Sequence, residues 1–250
     1  MSPNRTLPDQ IADYLIAKIF IGDLKAGDRL PPERLYADQL GVDRTSLRMA
    51  LKQLARMGLI RSVQGSGITI ENYEECSGID FLACVFSIKE LDLGGKFLLE
   101  ALDQWTFFLP LSIMFAAKRE GNRATANELE DTFRQQLHLL ESPGNMAKVV
   151  DIEVELQNRL SRQQGSTMMQ LISNSTSLLR RRIVQLFFEH IDVAAHIRFH
   201  QALLKRVLAK ELVGYALMDH YRDYLSEHTL PLRQYLKSLP PEPKLVGSPL

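Results

Sequence analysis

The apolar residues of the chain recur at two spacings, one typical of helices and one typical of short strands. Residues 7–20 and 44–57 each carry an apolar stripe at intervals of three and four residues, which indicates helices packed on one face. The runs 59–63 and 68–70 are short and β-prone, and the glycine-rich stretch 64–67 between them favours a hairpin turn. The N-terminal part therefore predicts helices followed by a two-stranded hairpin.

From residue 79 onward the pattern is helical almost throughout. Pro110 is expected to kink or break the second helix of this part, because a proline inside a helix removes a backbone hydrogen bond. The predicted helices comprise residues 79–89, 94–119, 123–141, 146–164, 166–190, 192–209 and 211–227. This part of the chain should form an all-α helical bundle.

Residues 31–57 have the composition of two helices joined by a tight turn. Pro31 and Pro32 suit the entry to a short helix, because their fixed φ and missing N–H cost nothing there. Gly41 ends that helix, and Asp43 can cap a second one by accepting hydrogen bonds from its first turn. Together with the hairpin, this order predicts a winged helix-turn-helix, whose second helix enters the major groove of DNA by its N-terminus.

Positive charge is concentrated in the same segment. The chain carries 30 basic and 30 acidic residues, yet no acidic residue occurs between Arg44 and Ile70. The basic residues of that stretch are Arg44, Arg48, Lys52, Arg56 and Arg61. A solvated basic surface beside an ordinary core would account for each feature alone, but their order and spacing favour DNA binding.

These residues also carry a resemblance to the GntR family of bacterial regulators. The matching motifs are Leu-Pro-Pro-Glu-Arg at 30–34, Gly-Val-Asp-Arg-Thr-Ser-Leu-Arg at 41–48 and Gly-Leu-Ile at 58–60. The resemblance covers residues 8–71, and it implies that the head binds a double-stranded operator. The DNA contacts that it implies are made by Arg34, Arg44, Thr45, Ser46 and Arg48, and by Gln64, Gly65 and Ser66 of the wing at the minor groove. Arg48 could instead be structural and tie the second helix to its neighbour.

The domain boundary is expected in the acidic stretch 71–80, which contains a Ser-Gly break. We therefore predict a winged-helix DNA-binding domain at 1–72, a linker at 73–80 and an all-helical effector-binding and dimerisation domain at 81–239. The proline-rich tail at 240–250 is predicted to be disordered.

Several classes of protein are disfavoured by what the sequence lacks. Its apolar runs are shorter than the roughly 18 to 20 residues of a membrane span, and its first residues have no signal-peptide core. A cytoplasmic chain is expected, with Cys76 and Cys84 as free thiols. The P-loop, the dinucleotide fingerprint, the nucleophile elbow and the zinc-hydrolase motif are missing, so we predict neither an enzyme nor a cofactor.

The helical part resembles the effector domains of the FadR branch of the GntR family, whose members are homodimers that bind a metabolite. Many of them hold a divalent metal through an Asp, a His four residues later and two further His. Asp151 and His200 fit the first and third of these positions, whereas Glu155 and Arg222 stand at the second and fourth. These four residues are the candidate effector site. We expect no metal there, with ligation through Asp151, Glu155 and His200 as the alternative. His196 and His200, four residues apart, are a second metal pair to consider.

Two classes of effector stay open. The resemblance to members that regulate fatty-acid metabolism implies a fatty acyl-CoA or a fatty acid, and a small carboxylate is the alternative. The large residues that could line an acyl tunnel, or simply fill the core, are Phe97, Trp105, Phe107, Phe108, Phe115, Phe187 and Phe188. A regulator predicts a cavity in the bundle, whereas a module that docks another protein predicts an exposed apolar patch.

Overall fold

The computed structural model describes residues 5–63, 67–118 and 123–250, and its contacts divide the chain into two compact units. The head unit comprises residues up to Phe97 together with Pro240–Leu250, and the bundle unit comprises Leu98–Leu239. The predicted fold class is confirmed: the chain is mainly α, with an N-terminal winged helix-turn-helix followed by an all-α helical bundle.

The head unit is built around a small antiparallel sheet and the helices packed on it. Its elements in chain order are α1 (Leu7–Phe20), β1 (Arg29–Leu30), α2 (Glu33–Leu40), α3 (Arg44–Arg56), β2 (Ile60–Val63), β3 (Gly67–Ile70), α4 (Tyr73–Cys76), α5 (Ile79–Ser87), β4 (Leu91–Asp92) and the C-terminal β5 (Lys244–Leu245). The strands β1, β3 and β2 lie side by side in that order, with Ile60 opposite Ile70. α1 packs against α3, and Leu15 and Leu47 are fully buried in this core.

The stretch 73–80, predicted to be a linker, is folded into the head unit instead. Its first residues form α4, which Asn72 caps by accepting a hydrogen bond from the backbone N–H of Glu74 at 3.1 Å. The ring of Phe20 on α1 lies 6.1 Å from the ring of Tyr73 and 6.3 Å from that of Phe81. These aromatic contacts place α4 and α5 against α1, so the division between the compact units follows Phe97.

The C-terminal tail, predicted to be disordered, is paired with the head unit. Leu245 of β5 lies opposite Leu91 of β4, and the backbone N–H of Gly95 donates to the carbonyl of Pro240 at 2.8 Å. Proline-rich composition indicated disorder because proline lacks an N–H donor. In the folded tail the carbonyls of Pro240 and Pro241 accept hydrogen bonds, and the N–H of Val246, just after β5, donates to the carbonyl of Glu90 at 2.8 Å.

The bundle unit consists of packed helices, and the predicted boundaries agree with most of them. Its helices are α6 (Gly95–Lys118, which begins in the head unit), α7 (Arg123–Leu140), α8 (Met146–Gln163), α9 (Thr167–Ser175), α10 (Ser177–Phe188), α11 (Val193–Leu208), α12 (Gly214–His228) and α13 (Leu230–Ser238). α8 packs against α7, α9 and α10, and α11 packs against α7. Val149, Ile183 and Ile197 are fully buried where these helices meet.

The structure differs from the predicted helices at three places. The helix expected at 166–190 is interrupted at Thr176, whose side chain donates to the carbonyl of Ile172 at 2.9 Å. α13 was not predicted, although Pro231 suits its first turn and Leu232 and Leu236 are fully buried. α6 continues through Pro110, so the helix does not end there.

No helix within the described ranges combines the length and the apolar character that crossing a membrane would require.

Candidate functional sites

The second helix of the helix-turn-helix, α3, is fixed at its N-terminus and along its inner face. Asp43 caps it, because its carboxylate accepts from the backbone N–H of Ser46 at 2.9 Å. Hydrogen bonding from the Ser46 side chain, and then from this N–H, lowers the pKa of Asp43. Leu47, Ala50 and Leu54 lie on the inner face and are fully buried. The cap at Asp43 and the buried inner face therefore fix α3 in the head unit and leave its outer face in a defined orientation.

The outer face of α3 is exposed and cationic. Its exposed residues are Arg44, Thr45, Arg48, Met49, Lys52, Ala55 and Arg56, and Ser46 is half-buried. Among the residues that the structure describes, Arg44, Lys52 and Arg56 form no ion pair with a carboxylate. Positive charge that is not neutralised by the protein remains available to phosphates of a nucleic acid.

Arg48 is engaged within the head unit. Its Nε and Nη2 donate to the Oε2 of Glu33 on α2, at 3.0 and 2.8 Å. This pair ties α3 to α2 and supports the structural role that the sequence left open for Arg48. Arg34, the second residue of α2, is exposed next to this tie. The predicted contacts Gln64, Gly65 and Ser66 lie outside the described residues.

The candidate effector residues do not come together in the bundle unit. Asp151 forms an ion pair with Arg181, and Glu155 is paired with Arg162 at 2.5 Å; all four side chains are at least 40 % exposed. Arg222 is bound to Asp219, its neighbour one turn away on α12. Of the four candidate effector residues, His200 alone is directed into the bundle.

Around His200 the helices enclose a group of polar side chains. We call this group the buried polar cluster; it consists of Gln136 of α7, Glu153 and Gln157 of α8, His196 and His200 of α11, and Tyr221 of α12, and all are buried except the half-buried His200. A hydrogen bond of 2.8 Å joins His200 Nε2 to the Tyr221 hydroxyl, and one of 2.7 Å joins His196 Nδ1 to the Tyr224 hydroxyl. The two imidazole rings lie 4.3 Å apart.

Burial sets the protonation of the cluster. Desolvation, with further repulsion from His200 and His228, lowers the pKa of His196 well below its usual value. Desolvation also lowers the pKa of His200, although the charge of Glu153 opposes this change. The pKa of the Tyr221 hydroxyl is raised by burial. Both imidazoles are therefore neutral at pH 7, and each can accept a hydrogen bond or bind a metal ion.

Two amide atoms of the cluster have no hydrogen-bond partner among the described residues. Gln157 Oε1 accepts from the indole N–H of Trp105 at 3.3 Å, while its Nε2 is buried and unpaired. Gln136 Nε2 donates to Glu153 Oε2 at 3.4 Å, while its Oε1 is buried and unpaired. A buried donor and a buried acceptor left unpaired each cost free energy, which a bound molecule with both kinds of group would recover.

The cluster also contains a set of metal-ligand type. One ligand atom each from Glu153, His196 and His200 lie within 4.8 Å of one another. Two imidazoles and a carboxylate are the ligand types of zinc and related transition metals. Both histidines were predicted as possible ligands from the sequence. On α8, however, the predicted carboxylates were those of Asp151 and Glu155, and Glu153 was not predicted. Glu153 and Gln157 lie among the buried apolar positions of α8, and that irregularity in the apolar stripe was the signal available.

The bundle unit contains a small cleft that can be compared with the predicted cavity. A cleft of about 290 Å³ opens to solvent and is lined by Glu128, Leu129, Arg159, Arg162 and Gln163, apart from the buried polar cluster. Of the aromatic residues considered for a tunnel, Trp105, Phe187 and Phe188 are buried in the core. Phe107, Phe108 and Phe115 are exposed on α6, and Met168, Leu171 and Ile172 form a second exposed apolar group on α9.

The head unit is similar in sequence to known bacterial regulatory proteins. Residues 7–70 match the model of the bacterial regulatory proteins of the gntR family. The regulator Mce2R of Mycobacterium tuberculosis is 33 % identical over 91 residues, which are 36 % of this chain and 38 % of that protein. The match thus spans less than half the length of this relative.

Longer similarity is found with proteins named fatty acid metabolism regulator. The one from Shewanella pealeana is 28 % identical over 210 residues, covering 83 % of this chain and 84 % of that protein. The one from Shewanella denitrificans is 26 % identical over the same coverage. A solved structure titled "Lar controls the expression of the Listeria monocytogenes agr system and mediates virulence" shares the fold, with a TM-score of 0.56, 13 % identity and coverage of 94 % and 99 %. Residues 7–70 thus match a domain of the gntR family of bacterial regulatory proteins, and the chain is similar over most of its length to proteins named fatty acid metabolism regulator.

Proposed function

We propose that the protein is a transcriptional regulator that binds a double-stranded operator through α3 of its head unit. The observation that carries this proposal is the outer face of α3, where Arg44, Lys52 and Arg56 are exposed without a carboxylate partner among the described residues. A capped helix of this kind enters the major groove by its N-terminus, where Arg44, Thr45 and Ser46 stand. Arg34 then serves as a phosphate contact at the edge of the groove.

The proposal includes a homodimer on a pseudo-palindromic operator. Two heads on one DNA require a surface that joins two copies, and the exposed aromatic residues Phe107, Phe108 and Phe115 of α6 suit such a contact. A ligand in the bundle unit would act by changing the spacing of the two copies of α3, so that they no longer match half-sites about one DNA turn apart.

The effector that we propose is a fatty acyl-CoA or a fatty acid. Support comes from the relatives named fatty acid metabolism regulator, which match this chain over 83 % of its length. The unpaired amide atoms of Gln136 and Gln157 supply polar groups that would bind the head of such a ligand. Asp151, Glu155 and Arg222 take part in exposed ion pairs, so the proposed site moves from them to the buried polar cluster.

A second candidate is a small carboxylate, with or without a divalent metal. The observation that favours it is the closeness of Glu153, His196 and His200, whose ligand atoms could hold one ion. The residues present fit such a metal, because neutral imidazoles and a carboxylate are its usual ligands. When bound, the metal would supply a positive charge for the carboxylate of the effector.

Replacing Arg44 by alanine tests the DNA contact. If Arg44 binds a base edge, Arg44→Ala should cost about 1–3 kcal/mol of discrimination at one base pair, because its guanidinium supplies two directed donors. The measurement is competitive binding to an operator and to its single-base variants. Arg134→Ala, which removes an exposed arginine from α7 instead, should leave the discrimination unchanged. An equal loss on every sequence would show that Arg44 contacts phosphate.

Native mass spectrometry of the purified protein tests the effector. We expect a dimer that carries a fatty or CoA-sized mass, and elemental analysis should find well under one transition metal per chain. A dimer with stoichiometric zinc or nickel and a small acid would instead support the second candidate. In that case His200→Gln should abolish the metal, whereas the exposed His138→Gln should retain it.

A further inference from the structure

An apolar side chain stands on the cationic outer face of α3. Met49 is 52 % exposed, although the residues on either side of it along this face are Thr45, one turn before, and Lys52, almost one turn after. Successive residues of a helix are rotated by about 100°, so Met49 lies about 200° from Leu47, which is fully buried. Met49 therefore points away from the core of the head unit.

The position of Met49 along α3 places it in the part of the helix that meets the bases. It is the sixth residue of the helix, counted from Arg44 after the cap Asp43. The N-terminal turns of such a helix lie deepest in the major groove. Thr45 is four residues earlier on the same face, so a helix that brings Thr45 to the bases brings Met49 to them as well.

The side chain of the neighbouring Arg48 is directed away from Met49. The guanidinium of Arg48 is held by Glu33 through two hydrogen bonds, at 3.0 and 2.8 Å. It is therefore directed towards α2, and it does not cover the side chain that follows it. Met49 has three rotatable bonds and no strong hydrogen-bonding group, so it adapts to an apolar partner but cannot pair with a polar base edge.

We propose that Met49 determines specificity by contacting the 5-methyl group of a thymine in each operator half-site. The 5-methyl group of thymine is the apolar group that base pairs present in the major groove, whereas the other edges there are hydrogen-bond donors and acceptors. A methionine between Thr45 and Lys52 favours thymine, because adenine, guanine and cytosine offer no methyl group there and would leave a hydrogen-bond donor or acceptor against its thioether. This inference rests on the proposed DNA-binding function and adds to it the base that one residue of α3 selects.

Replacement of thymine by deoxyuridine tests the inference, because it removes only the methyl group. The probe is a duplex enriched from a randomised pool by the unmodified protein, in which each thymine is replaced in turn. One thymine in each half-site should be sensitive, with binding weakened by about fourfold for each lost methyl group. Met49→Ala should bind the thymine and deoxyuridine duplexes equally, and Met49→Leu should restore the difference.

Two further results separate the inference from the function on which it rests. Lys52→Ala should weaken binding to all duplexes and lower its salt dependence while keeping the sensitivity to deoxyuridine, because Lys52 neutralises phosphate. If the unmodified protein enriches a sequence but no thymine is sensitive, or if the sensitivity persists in Met49→Ala, the inference is wrong and the DNA-binding function stands. If no sequence is enriched, both are wrong.

Discussion

Replacing Gly58 by alanine is expected to lower the free energy of unfolding of the head unit by about 3 kcal/mol, the sum of backbone strain and of overlap with a neighbouring segment. Gly58 follows α3 with φ +75°, and the N–H of Leu59 donates back to the carbonyl of Leu54 at 3.0 Å. A Cβ atom at Gly58 would overlap the carbonyl oxygen of Cys76 at the end of α4. Since that oxygen belongs to the backbone, α4 would have to move.

Gly41 provides a matched control for this substitution. It ends α2 with φ +66°, and the N–H of Val42 donates to the carbonyl of Ala37, so the local motif is the same. No atom of the described residues lies within 4 Å of a Cβ atom added there. Gly41→Ala should therefore cost only the strain of the left-handed conformation, about 1–2 kcal/mol.

The two substitutions are compared by urea denaturation followed by far-UV circular dichroism. The excess loss in Gly58→Ala measures how firmly α4 is packed against the end of α3. Fluorescence of Trp105, the single tryptophan, reports separately on the bundle unit. Equal losses for the two variants would contradict the close packing of Cys76 on Gly58.

The helix-turn-helix could be predicted from sequence because its determinants are local. Asp43 caps α3 from one residue before it, and Gly41 ends α2 from one residue after it. Each of these features depends on neighbours within a few positions, so its structural consequence follows from the order of residues alone. The tie between Arg48 and Glu33 spans 15 positions, and accordingly the sequence left its role open.

The site in the bundle could not be predicted in the same way, because it depends on which face of α8 meets α11. Asp151 and Glu155 stand two residues before and after Glu153, and two residues turn a helix by about 200°. A prediction that is wrong by two positions therefore selects a residue on the solvent-exposed face of α8 in place of one on the buried face. Packing decides the outcome: Val149, Val150 and Val154 are buried, and Glu153 is buried with them.

The second large effect that we expect is a loss of stability in the bundle unit as the pH falls below about 6.5, the usual pKa of histidine. Burial holds the pKa of His196 and the pKa of His200 below that value in the folded chain. Between the folded and the unfolded pKa, the unfolded chain binds a proton at each histidine and the folded chain does not. The free energy of unfolding should therefore fall by about 1.4 kcal/mol per pH unit for each histidine, or about 2.7 kcal/mol for both.

The slope of stability against pH identifies the responsible residues even where a substitution itself destabilises the chain. The measurement follows Trp105 fluorescence in metal-free protein. His200→Gln should remove about half of the slope below pH 6.5, because unfolding of this variant takes up one proton fewer per chain. His138→Gln, at a side chain that is 82 % exposed, should leave it unchanged. A flat profile in the unmodified protein would mean that the folded cluster accepts protons as readily as the unfolded chain does. Because an effector or a metal bound to Glu153, His196 and His200 would need neutral imidazoles, its affinity should decline over the same pH range.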